Sequence, residues 1–222
     1  MNIKKILIKT AIIVLNFALI TFLSKAQLIG FEIQNGDILF QDGNKSDFSD
    51  AIKDVTTSID GYRFSHCGIC CIDNGNKFVI EALPEKGVVK TPIADFLNRY
   101  TTDNNQPKVV VGRLVDSLQY IVPSIIERAY NYLGKGYDFE FDFDNDKIYC
   151  SELVYFAFKT ANLVPLFEAL PMTFIDSKTN QTHQNWIEYF NKLSTKIPEG
   201  KLGVNPGQMS RSKIIKIIHF FY

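Results

Sequence analysis

The stretch that decides how this chain folds is Ser65-His66-Cys67-Gly68-Ile69-Cys70-Cys71-Ile72-Asp73-Asn74-Gly75-Asn76-Lys77-Phe78-Val79-Ile80-Glu81-Ala82-Leu83. Asp73-Asn74-Gly75-Asn76 reads as a tight hairpin turn, because Asn and Gly accept the positive φ that two-residue hairpin loops demand. The runs on either side, residues 65–72 and 77–83, are short and rich in Ile, Val, Phe and Cys, so they read as paired antiparallel strands. With the turn centred between Asp73 and Asn74, His66 and Glu81 become cross-strand neighbours. Glu81 is a carboxylate inside an apolar strand, where it needs a partner. An imidazole is a suitable one. A Glu that accepts from one ring nitrogen fixes the tautomer and stabilises the imidazolium.

Outward from this hairpin, Gly36-Asp37-Ile38-Leu39-Phe40 reads as a turn feeding a strand. Phe48, Ala51, Ile52 and Val55 have helical spacing over residues 47–57, with Ser46 or Asp47 as cap. Thr91-Pro92 is expected to open a short helix to Arg99, Thr as cap and Pro as first helical residue. A polar loop at 103–107 precedes a strand at 108–114 that is apolar on both faces. Ile125, Ile126, Ala129, Tyr130 and Leu133 predict a helix over 123–133, stopped by Gly134-Lys135-Gly136. A second amphipathic helix is predicted over 150–161. Residues 162–207 carry Pro165, Pro171, Pro198 and Pro206 and read as an irregular insertion around one helix near Trp186. Residues 213–222 close the chain as a strand. Helices interleaved with a mostly antiparallel sheet make an α+β fold.

Composition narrows the function. The 222 residues are 46% hydrophobic and 13% aromatic, which suits one globular domain. Residues 1–26 read as a signal peptide: Lys4, Lys5 and Lys9, an apolar run at 11–23, then Ser24-Lys25-Ala26 with cleavage expected after Ala26. The run is too short for a stable membrane span. The expected mature domain is therefore 27–222, exported to the periplasm or cell envelope. Cleavage would remove four of the 24 basic residues, leaving 20 against 24 acidic, a net of −4. That balance offers no excess of cations for nucleic acid.

Cys150, in Tyr149-Cys150-Ser151-Glu152-Leu153, opens a predicted helix. The free N–H groups and partial positive charge of a helix start favour the thiolate and can hold an oxyanion. His66 is the imidazole best placed to serve it. His183 falls in the insertion and reads as solvent-exposed, and His219 in the last strand. Two metal patterns fail. His66, Cys67, Cys70 and Cys71 lie on a strand, where positions 67 and 70 face opposite ways. The acidic run 138–146 lacks the Gly and Glu of an EF-hand loop and reads instead as an extended segment with one face buried. No metal or other cofactor is expected. Cysteine pairing is left open for an oxidising compartment.

Five blocks now stand in order: Gly36-Asp37-Ile38-Leu39-Phe40, Ser65-His66-Cys67-Gly68-Ile69, Ile80-Glu81-Ala82, Gly134-Lys135-Gly136-Tyr137-Asp138 and Tyr149-Cys150-Ser151-Glu152-Leu153-Val154. Together they resemble the YiiX/YaeF type of permuted papain-like amidase, in the NlpC-type superfamily, over about residues 36–160. The resemblance implies a circularly permuted papain-like core and cysteine peptidase or amidase activity. It also implies Cys150 as nucleophile, His66 as base, Glu81 as the residue orienting His66, and Tyr137 lining the substrate site. The expected substrate is a peptide or cell-wall amide. An ester or lipid acyl bond is the alternative, with Leu163, Leu166, Phe167 and Leu170 as an apolar lid. A catalytically silent binding module is the third reading.

Overall fold

Asn74 and Gly75 take φ values of 49° and 78°, so the tight turn forms on those two residues. It joins β2 (His66–Asp73) to β3 (Asn76–Leu83), with β1 at Ile38–Gln41. Pairing runs from Asp73↔Asn76 to Ile69↔Ile80. The centre of the turn thus lies one residue later than the sequence suggested. Continued outward, that register sets Glu81 opposite Gly68 and makes His66 a diagonal neighbour on the same face.

This computed structural model describes residues 31–43, 47–176 and 179–222. The expected signal segment at 1–26 and the Ser46 cap lie outside the described residues. Gln34–Tyr222 form one unit. No helix among the described residues is long and apolar enough to cross a membrane.

The sheet adds β4 (Gly87–Pro92), β5 (Val109–Leu114) and β6 (Ile215–Phe220). Its order is β6-β5-β1-β2-β3-β4 and every pairing is antiparallel. The helices are α1 (Asp47–Val55), α2 (Ile93–Asn98), α3 (Val122–Asn131), α4 (Cys150–Ala157), α5 (Gln184–Leu193) and α6 (Pro206–Ser210). Ile38, Phe40, Cys67, Ile69, Ile80 and Val110 share a core with Leu153 and Val154 of α4. The opposite face is also dry, with Leu39, Cys70, Val79, Val109 and Val111 fully buried. Gln41 of that face donates its side-chain amide to the carbonyl of Phe96 in α2 at 2.8 Å.

Four expectations are corrected. Strand β4 was hidden by Lys90-Thr91-Pro92, which look like a cap. Pairing continues to Phe78↔Pro92, and the edge position of β4 tolerates the missing N–H. Pro92 therefore precedes α2 rather than opening it, and the Thr91 hydroxyl donates to Glu81. Helix α4 ends at Ala157, not 161, because Phe158 leaves helical geometry. The 138–146 run is not extended. Phe141 has φ 56°, and the buried Asp138 carboxylate accepts from the N–H groups of Glu140 and Asp142 at 2.9 and 2.7 Å. His183 is not a free surface residue. It caps α5 by accepting from the Asn185 N–H at 3.2 Å and lies 3.6 Å from Asp54.

A backbone clip fixes where the 134–138 segment runs. The Val88 N–H donates to the Lys135 carbonyl at 2.8 Å, and the Gly134 N–H to the Val88 carbonyl at 2.9 Å. Gly87 allows this approach: its φ is +67°, and a Cβ there would stand 2.1 Å from the Lys135 carbonyl oxygen. Gly87→Ala is expected to destabilise the fold by about 2–3 kcal/mol. Denaturant unfolding measures this, and a loss below about 0.5 kcal/mol would show the clip to be slack.

Candidate active site

Glu81 is the anchor. Its side chain is fully buried in β3. Oε2 receives His66 Nε2 at 2.6 Å and Arg99 Nη1 at 2.8 Å. Oε1 receives Arg99 Nη2 at 2.5 Å and the Thr91 hydroxyl at 2.6 Å. Arg99 comes from the end of α2 and Thr91 from β4, so three elements converge on one carboxylate. Gly68 leaves the room: a Cβ there would meet Val79 Cγ1 at 2.5 Å and Glu81 Cβ at 3.1 Å. Burial alone would raise the Glu81 pKa. The hydrogen bonds from Arg99 and then His66 outweigh it and hold the group at about 2.

His66 spends Nε2 on Glu81, which leaves Nδ1 for Cys150. Burial alone would lower its pKa. The hydrogen bond to Cys150, followed by that to Glu81, overcomes this and raises it to about 9. The imidazole also lies 6.0 Å from the Phe96 ring, measured between centroids.

Cys150 is the first residue of α4, where backbone N–H groups have no helical acceptor. Glu152 reaches back to accept from the Tyr149 N–H at 3.1 Å, which fixes the turn into the helix. Burial, the largest cause, and the nearby acids Asp138 and Asp142 push the Glu152 carboxyl up to about 8. Cys150 meets both residues that open β2. A hydrogen bond from the Cys67 thiol, then one from His66, hold the Cys150 thiol well below its ordinary value against the opposing effect of burial. Burial and that same bond push the Cys67 thiol up. All four cysteines are free and buried.

The 162–207 segment reaches the site. Ser151 donates its hydroxyl to the Val204 carbonyl at 2.9 Å, and the Tyr149 hydroxyl accepts from the Val204 N–H at 3.2 Å. The chain is thereby pinned beside Cys150 and walls a cleft of about 250 Å³ whose lining includes Cys150, Tyr137, Leu170, Met172, Phe174 and Val204. A smaller cleft of about 140 Å³ is lined by His66, Arg99, Tyr100 and again Tyr137. Tyr137 thus stands between the two. Of the expected lid residues only Leu170 faces the larger cleft. Leu163 is exposed, Leu166 is packed against the core, and Phe167 packs on Phe158 at 5.7 Å.

The structure therefore brings Cys150, His66 and Glu81 into one hydrogen-bonded chain with Tyr137 beside it. Residues 32–219 match the family described as permuted papain-like amidase, YaeF/YiiX, C92. The chain belongs to that family. It is 30% identical over 176 residues to the uncharacterized protein YiiX of Escherichia coli strain K12, covering 78% of this chain and 81% of that protein. The crystal structure of the metalloprotein yiiX from Escherichia coli O157:H7 superposes with a TM-score of 0.70 at 26% identity, covering 86% of this chain and 98% of that one. The fold is thus the permuted papain-like α+β core that the sequence blocks implied.

Sequence reasoning missed Arg99, Thr91 and Cys67. Arg99 had a signal: a buried Glu beside one imidazole needs a further cation, and Arg99 was the Arg at the end of the helix that follows. Thr91 was assigned to a cap, and Cys67 to an apolar strand with no role in the site.

Because the raised value of His66 depends first on Cys150, its ring is expected to titrate near pH 9 in the unaltered protein. In Cys150→Ser, which lacks the thiolate, it should titrate well below that. Histidine ring NMR shifts against pH measure both, and equal midpoints would show that thiolate and imidazolium are not paired.

Proposed function

We propose that this chain is an exported cysteine hydrolase that cleaves an amide bond in a peptide or cell-wall substrate. The observation that carries the reading is the hydrogen-bonded chain Cys150–His66–Glu81 opening on the larger cleft. A silent binding module has no need of a depressed thiol paired with a raised imidazole.

In this reading the Cys150 thiolate attacks the carbonyl carbon, and the carbonyl π pair moves to oxygen. The Cys150 N–H at the helix start stabilises that oxyanion. His66, protonated up to about pH 9, gives its Nδ1 proton to the leaving amine as the C–N bond breaks. Water then adds to the thioester with His66 as base, and Cys150 leaves as thiolate. Glu81 keeps Nε2 protonated and the ring in register. It is held in turn by Arg99 and Thr91, so its lone pairs are committed. Tyr137 closes the site between the two clefts.

The yiiX structure is described as that of a metalloprotein. In this chain both Glu81 oxygens are already occupied by Arg99, Thr91 and His66. Among the described residues no three His, Cys, Asp or Glu side chains are grouped to hold an ion. Glu81 as placed has no oxygen left for a metal, and every step above uses the chain's own groups.

An ester or lipid acyl bond is the second reading. Leu170, Met172, Phe174 and Val204 favour it, because they line the larger cleft with apolar surface suited to an acyl chain. Export rests on the basic start, the apolar run at 11–23 and Ala26. N-terminal sequencing of the secreted protein tests it.

Cys150→Ala is expected to abolish hydrolysis of matched amide and ester substrates. Glu81→Gln should lower kcat by roughly 10²- to 10⁴-fold with the fold retained. Steady-state kinetics with circular dichroism check both, and unchanged turnover in Glu81→Gln would remove the orienting role. The ratio of amide to ester turnover decides between the two bond types.

A further inference from the structure

We propose that Arg211 makes the larger cleft a site for a substrate bearing an anionic oxygen group, a carboxylate or a phosphate, at the end of an apolar body. The inference deepens the hydrolase reading and rests on it for calling this cleft the substrate site.

The argument is one of charge inventory. Among the described residues, Arg211 is the sole Lys, Arg, Asp or Glu lining the larger cleft. The catalytic groups contribute no net charge to it. The Cys150 thiolate is matched by the His66 imidazolium, and Glu81 by Arg99. Beyond the paired Cys150, Arg211 is therefore the charged side chain that a ligand in this cleft would meet, among the described residues.

That guanidinium is fixed but not neutralised. Its Nε donates to the Thr57 carbonyl at 3.0 Å. The backbone that carries it is seated on the same carbonyl, since a Cβ at Gly207 of α6 would stand 2.7 Å from the Thr57 oxygen. No carboxylate lies within ion-pairing distance of Arg211 among the described residues. Both Nη groups are left to donate, in the planar fork that suits two oxygens of one anion. Thr56 and Gln208 give the cleft polar groups near Arg211, whereas Met172, Phe174 and Val204 give it an apolar wall. A ligand matched to that arrangement has an apolar stretch and a terminal anion. An exposed cation lining an otherwise uncharged wall favours such a ligand over its neutral analogue.

The test reads binding rather than turnover, so it stands apart from the hydrolase reading. In the Cys150→Ala protein, titration calorimetry compares octanoate and octyl phosphate with neutral octanamide. At least one anion is expected to bind ten-fold or more tightly than the amide, and the two anions against each other identify the preferred head group. Arg211→Gln in the same background should erase that preference while leaving octanamide affinity unchanged, and Arg211→Lys should keep part of it. Equal affinities for anion and amide would overturn the proposal. So would a preference that survives Arg211→Gln, which would place the anion on the Nδ1 side of His66 that Cys150→Ala vacates. Absence of binding by all three ligands would overturn it as well. Failure of the hydrolase reading shows separately, as an unaltered protein that turns over neither amides nor esters.

Discussion

The rest of this structure depends on one carboxylate placed in the interior of a sheet. An unpaired Glu81 would be costly at that position, and three elements are arranged to prevent it. Arg99 at the end of α2 supplies the charge, Thr91 on β4 a further donor, and His66 on β2 an imidazole. Gly68 is small because Glu81 faces it. The order of the strands follows the same demand, since β2, β3 and β4 must be neighbours for these groups to meet.

From that anchor the electrostatics run in one direction. Arg99 keeps Glu81 ionised, Glu81 favours the charged form of His66, and His66 favours the thiolate of Cys150. Each group is partnered, so a site buried among apolar residues holds four charges as two matched pairs. Cys67 contributes a thiol that stays protonated and donates to Cys150. The cysteine that the sequence offers as simple packing is therefore part of the polar chain.

The second half of the site is built from the C-terminal third. Tyr149 and Ser151, on either side of Cys150, both bind the backbone of Val204. This places the 202–205 strip next to Cys150 and turns an irregular segment into the wall of the cleft. Arg211, just past α6, adds a cation to that wall. Chemistry and recognition are thus divided. In the proposed hydrolase the sheet and α4 provide the reacting groups, and the long C-terminal segment shapes what can reach them.

What the sequence determined by itself was local. The Asn74-Gly75 turn, the apolar strands beside it and the helical spacing of 123–133 are dictated by backbone preference and short-range periodicity. From these the nearness of His66 and Glu81 followed, although the register was displaced by one residue. Cys150 at a helix start was legible for the same reason. Strand β4 was not, because Lys90-Thr91-Pro92 has the local look of a cap, and only pairing with β3 makes it a strand. The bend at Phe141 was hidden likewise, since an alternating pattern cannot announce a positive φ imposed by the Asp138 carboxylate. Arg99, Thr91, Val204 and Arg211 took their places only in the tertiary structure. Each lies well apart in sequence from the group it serves, and only the folded chain brings such groups within a few ångströms, where hydrogen bonds and charge act.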